Sequence, residues 1–158
     1  AGLPLEIISA VDRVNNRQKQ LAFAKLRKLM GDDLSETSVA IWGLAFKPRT
    51  DDIREAPSVS LIRSLLEDGV RVRVHDPAAM EKVKAEFGGD LTYCKEAYEA
   101  VEGASALCVM TEWQEYRSPD ADRLSSLMVP PRILIDGRNL YRDHGLSEKG
   151  IQVHGIGY

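Results

Sequence analysis

The run Val39-Ala-Ile-Trp-Gly-Leu-Ala-Phe-Lys-Pro-Arg-Thr-Asp-Asp-Ile-Arg-Glu-Ala-Pro-Ser58 leaves a strand and opens a helix. Its start, with Ser38, is a short apolar stretch ending at Trp42, the pattern of a strand. Gly43 alone lets the backbone turn off that strand, and a long loop follows, bearing Lys47, Arg49 and Arg54. A dinucleotide-binding turn shows closely spaced glycines at this point, and no Gly-x-Gly-x-x-Gly occurs anywhere in the chain.

Outward from this run, strands and helices alternate. Upstream, Leu3 to about Met30 reads as one long helix, with Pro4 in its first turn. Ile8, Val11, Leu21, Leu26 and Leu29 recur there at mostly helical steps, and Gly31 ends it. The polar face, carrying Arg13, Asn15, Asn16, Arg17 and Lys19, reads as solvated. Downstream, helices are expected at Pro57 to Glu67, Ala79 to Phe87, Lys95 to Val101 and Asp120 to Leu127. Strands are expected at Val70 to His75, Leu91 to Tyr93, Ala104 to Met110, Arg132 to Asp136 and Gln152 to His154. The expected class is α/β: a Rossmann-like, three-layer, doubly wound and mainly parallel sheet preceded by a long N-terminal helix. In such sheets ligands bind beyond the carboxyl ends of the strands. The segments that carry function are therefore Gly43 to Pro57, His75 to Ala78, Thr111 to Tyr116 and Asp136 to Tyr141.

In the first of these, Lys47 supplies a point charge and Arg54 a forked donor, a pair suited to two phosphate groups. The helix N-terminus near Pro57 and Ser58 favours an anion as well. Asp51, Asp52 and Glu55 brace these cations, and the same residues read equally as a solvated charge cluster.

Composition narrows the classes. A chain of 158 residues with 44% hydrophobic content suffices for one core without a staple. Its 21 basic and 24 acidic residues argue against a nucleic-acid partner. No stretch has the apolar length of a membrane span, and no signal-peptide pattern is read at the start. Cys94 and Cys108 are not at metal-ligand spacing, and the histidines lack partners at such spacing, so no metal is expected. Two cysteines without a secretory signal point to reduced thiols and a cytoplasmic setting.

The string Gly43-Leu-Ala-Phe-Lys-Pro-Arg-Thr-Asp-Asp-Ile-Arg-Glu-Ala-Pro-Ser58 closely resembles the hallmark loop of UDP-glucose dehydrogenases, a family that extends to UDP-N-acetyl-sugar and GDP-mannose dehydrogenases. Thr111-Glu-Trp113 and Asp136-Gly-Arg-Asn139 fit the same family in order. Leu5-Glu-Ile-Ile-Ser-Ala-Val-Asp-Arg-Val-Asn-Asn-Arg-Gln18 resembles the end of its central helix. The resemblance implies that residues 1–30 are the end of the connecting and dimerisation helix, and residues 31–158 the UDP-sugar-binding domain. It implies that Phe46 and Lys47 touch the UDP-sugar, that Arg138 approaches the substrate, and that Arg54 reaches NAD across a domain cleft. Glu112 and Trp113 read as structural.

The family oxidises UDP-glucose to UDP-glucuronate with two NAD molecules, through a cysteine in a Gly-Gly-x-Cys stretch. This chain has no such stretch, so the resemblance implies no catalytic residue here and an NAD held mainly by a separate N-terminal domain. The chain alone is expected not to turn over. A homodimer through the central helix is also implied. UDP-N-acetyl-hexosamine or GDP-mannose dehydrogenase is the alternative branch. Cys108, inside an apolar strand, reads as an inert hydrophobe, and Cys94 likewise as no nucleophile. His75-Asp76-Pro77 reads as a strand-end turn rather than a ribose clamp.

Overall fold

The computed structural model describes residues 6–142 and 145–157; the helix start expected at Leu3 and Pro4, and His144, lie outside them. Eleven elements match the expected alternation. They are α1 (Glu6–Met30), β1 (Ser38–Trp42), α2 (Pro57–Glu67), β2 (Arg71–His75), α3 (Met80–Phe87) and β3 (Thr92–Tyr93). The remainder are α4 (Ala97–Val101), β4 (Ala106–Val109), α5 (Ala121–Leu127), β5 (Ile133–Asp136) and β6 (Gln152–Gly155).

The six strands form one sheet in the order β3-β2-β1-β4-β5-β6. Every neighbouring pair is parallel, so the sheet is wholly rather than mainly so. Both faces are covered, as parallel strands require. On one face Val39, Ile41, Ala106, Cys108, Ile133 and Ile135 pack with Ala22 and Leu26 of α1 and with Leu61, Ile62 and Leu65 of α2. On the other, Ala40, Trp42, Leu107, Val109 and Leu134 pack with Ala100, Tyr116 and Leu124. Each fully buried leucine or isoleucine among them stabilises the fold by about 1.5–3 kcal/mol.

The register sets the site. Trp42 stands opposite both His75 and Val109, and Val109 opposite Asp136. Four strands thus end in one row, and the next residues (Gly43, Asp76, Met110 and Gly137) leave the sheet side by side. β1, from which the strand order runs both ways, is the switch point where such sheets take ligands.

Candidate functional site

The turn after β1 is held from every side. Gly43 adopts φ +88, and its amide donates to the His75 carbonyl at 2.9 Å. A Cβ at Gly43 would come within 2.5 Å of Thr111 Cβ and 2.6 Å of Thr111 N, so only glycine fits. The Leu44 and Ala45 amides donate to Asp76 Oδ2 at 2.6 and 3.1 Å. Their carbonyls accept from Ser58 Oγ and Thr111 Oγ1, each at 2.6 Å. The turn is therefore a rigid base for the loop that follows.

Beyond that base a cleft of about 610 Å3 opens between α1 and the carboxyl edge of the sheet. Phe46, Pro57, Met110, Gly137 and Arg138 line it from the sheet side. Phe46 is 49% exposed, an apolar ring offered to solvent. Arg138 straps the wall together: its Nε donates to the Met110 carbonyl at 2.8 Å and Nη2 to the Phe46 carbonyl at 2.9 Å. Glu112 Oε2 lies 3.1 Å from the same Nε as an ion pair. Gly137 allows this crossing, since a Cβ there would stand 2.7 Å from the Val109 carbonyl.

From the helix side, Asp12, Asn15, Gln18 and Lys19 line the cleft. The expectation that the face of Arg13, Asn15, Asn16, Arg17 and Lys19 is solvated is corrected for Lys19, while Asn15 stays exposed at the cleft's rim. Lys19 is only 16% exposed along its side chain and pairs with Glu55, which holds a left-handed φ of +59. A non-glycine residue in that region marks backbone strain at a ligand-facing segment.

Of the residues singled out from sequence, Phe46 and Arg138 meet at the cleft. Lys47 is exposed next to Phe46, outside the lining, and has no hydrogen bond or ion pair among the described residues. Arg54 points away, into an adjoining groove of about 270 Å3 shared with Lys19, Arg63 and Glu86. It grips Asp52 through Nε at 3.0 Å and Nη2 at 2.8 Å, which holds that carboxyl well below the usual carboxylate range. Asp51 pairs with Lys82 at 3.0 Å. Of the three loop acids, Asp52 braces Arg54 as expected, while Asp51 pairs with Lys82 and Glu55 with Lys19.

Trp113 is structural, its indole N–H donating to Asp76 Oδ2 at 3.0 Å. His75 faces the Tyr116 hydroxyl at 2.7 Å and Glu115 at 3.4 Å. Burial pushes the Cys108 thiol up to about 12 and raises Cys94, so neither is a ready nucleophile. Among the described residues no group of three or more His, Cys, Asp or Glu is placed to hold a metal ion, and no helix is long and apolar enough to cross a membrane. Sequence reasoning missed Asp76 as an organiser of the turn and Lys19 as a cleft cation. Asp76 had a signal in its place directly after β2, whereas an amphipathic pattern alone gives Lys19 none.

Comparison with known proteins places the chain in one family. The family described as "UDP-glucose/GDP-mannose dehydrogenase family, UDP binding domain" matches residues 40–143. A UDP-glucose 6-dehydrogenase of Pseudomonas aeruginosa is 45% identical over 99% of this chain, and one of Rhizobium meliloti 36% identical over 98%. In each case the chain spans about 35% of the relative's length. The solved UDP-glucose dehydrogenase of the archaeon Pyrobaculum islandicum superposes on 99% of the chain with a TM-score of 0.83 at 32% identity, this chain covering 33% of it.

Proposed function

The chain belongs to the UDP-glucose/GDP-mannose dehydrogenase family through its UDP binding domain, and from that premise we propose that it is the UDP-sugar-binding part of a UDP-glucose 6-dehydrogenase. The observation that carries this reading is the cleft where Phe46 and Arg138 meet, with Lys47, exposed and without a partner among the described residues, next to Phe46 in the chain. Phe46 offers apolar contact. Lys47 offsets part of a diphosphate's charge. Arg138 shapes the wall, and its side chain, 30% exposed, leaves part of the fork for the substrate. Lys19 adds a second cation at the opposite wall, supplied by α1.

The residues at the β1 turn do not fit NAD. The glycine fingerprint is absent, and the amides that a pyrophosphate would occupy already donate to Asp76. NAD is therefore assigned to a separate domain of the intact enzyme. Arg54, 87% exposed along its side chain, would meet it from outside this cleft. No hydride transfer is assigned to residues of this chain. The purified chain, given NAD and UDP-glucose, is expected to produce no NADH signal at 340 nm above blank (~0 turnover).

Calorimetry with UDP, GDP and UDP-glucose tests the assignment directly. UDP and UDP-glucose are expected to bind the chain, with GDP weaker. Tighter GDP binding moves the protein to the GDP-mannose branch, and no binding of any of the three removes the site. Residues 1–30 are read as the connecting helix, through which two copies of the enzyme pair.

A further inference from the structure

We infer that Asp76 is an internal anion that fills the phosphate cradle of this fold, fixing the loop that carries Phe46 and Lys47 and closing the cradle to a dinucleotide. In doubly wound sheets the amides just after the first strand hold the ligand's pyrophosphate. Here those amides, Leu44 and Ala45, converge on Asp76 Oδ2 together with the Trp113 indole N–H, at 2.6, 3.1 and 3.0 Å. Oδ1 accepts from the amides of Ala78 and Ala79, each at 2.8 Å. Five donors surround one carboxylate that is 3% exposed.

A buried carboxylate is tolerated only when its lone pairs are satisfied, and amide donors to an anion are among the stronger hydrogen bonds. All five donors are neutral. The arrangement copies what a phosphate receives in a dinucleotide turn, except that the anion is covalently part of the chain. Register places it there: Trp42 pairs with His75, so the residues that follow, Gly43 and Asp76, leave adjacent strand ends. An acid directly after the second strand usually takes a ribose hydroxyl of a bound dinucleotide. In this chain it turns back onto the first turn instead. Leu44 and Ala45 are themselves 0% and 1% exposed, and their carbonyls are also bonded, so no ligand atom has room at the turn. The binding duty passes outward to the loop from Phe46 on, which Asp76 positions without touching the ligand.

The test is chemical rescue. Asp76→Ala removes the carboxylate and leaves a space that formate fits. In the folded variant, added formate is expected to raise the melting temperature by about 4 °C over matched chloride, with no such rise in the unaltered chain. UDP-glucose affinity is expected to fall about tenfold and to recover in formate. A folded variant that melts identically in formate and chloride overturns the proposal, because a side chain acting only as packing is not replaced by a free anion. The affinity measurement rests on the loop being a UDP-sugar contact, whereas the thermal measurement does not. Thermal rescue without any UDP-glucose binding to either protein therefore counts against that functional reading and leaves Asp76 in its role. Should Asp76→Ala fail to fold, amide exchange in the unaltered chain decides. Protection of Leu44 and Ala45 by about 100-fold or more supports the proposal, and exchange at free-chain rates overturns it.

Discussion

Lys47 and Arg138 leave the same edge of the sheet with opposite structural commitments, and their variants should part accordingly. Lys47 has no partner among the described residues, so Lys47→Ala is expected to leave unfolding free energy within the scatter of a surface change, about 0.5 kcal/mol. UDP-glucose affinity should nonetheless drop about tenfold or more, since a charge-assisted contact is lost. Unchanged affinity in calorimetry would remove Lys47 from the site. Arg138 bridges the Met110 and Phe46 carbonyls, so Arg138→Ala is expected to cost about 1–3 kcal/mol in urea unfolding as well as affinity. Lysine at 138 should recover little of this, because one ammonium cannot reproduce a fork that spans two carbonyls. Gly43 sets the upper end of the scale. Alanine there meets both a left-handed φ and the backbone of Thr111, a combination expected to cost about 3 kcal/mol or more.

Elements lie closer to the sequence than their contacts do. The strand ends at Trp42, His75 and Asp136 were all legible, because short apolar runs stop where turn chemistry begins. The helix read from Asp120 starts one residue later, since Asp120 is the cap: its carboxylate accepts from the Arg123 amide while its own backbone stays extended. Ala79 stands likewise just ahead of α3. The short 3-10 turns at Gln114–Tyr116 and Ser147–Lys149 were not read, being too brief to show any period. Of the cleft's lining, Phe46 and Arg138 were legible in the sequence, whereas Lys19 and the arrangement itself were not. The reach of Asp76 to the β1 turn, of Arg138 to Phe46, and of Lys19 to Glu55 are contacts between distant segments with no local pattern. The seam between α1 and β6 offers a test at this scale. Lys25 donates to the Gly155 carbonyl, and the neighbouring His154 has its pKa lowered from 6.5, first by burial and then by Lys25. A lowered folded pKa means that the fold favours the neutral ring. Its contribution is fully present above the unfolded value of 6.5 and is lost as pH falls through the lower, folded value. Melting temperature should therefore decline as pH falls below the unfolded value of 6.5, and His154→Gln should flatten that decline. An identical pH profile for the variant would exclude His154 as the source.

At the scale of the whole molecule, α1 is anchored at one end and open at the other. Its C-terminal half belongs to the core, with Ala22 and Leu26 buried against α2 and the sheet. Ile8 precedes Leu26 by about five helical turns and so lies on the same face, while Val11 is one step round from it. Val14 stands about 120° round from Leu26, and Asn15 and Lys19 of the cleft lie along the line from Leu26 to Ile8, so Ile8, Val11 and Val14, 58%, 51% and 55% exposed, form an apolar stripe of their own beyond the domain's edge. A helix of 25 residues with such a stripe exposed has a surface left to bury. The proposed homodimer through this helix supplies the cover, and charge on the stripe should then oppose it. Ile8→Glu combined with Val11→Glu is expected to shift sedimentation toward monomer at concentrations where the unaltered chain associates. Because both side chains already face solvent, the unfolding free energy of the monomer should stay within the range of surface changes, about 0.5 kcal/mol. An association equilibrium that ignores both charges would leave the stripe without a partner of its own kind and place the pairing surface elsewhere on the enzyme.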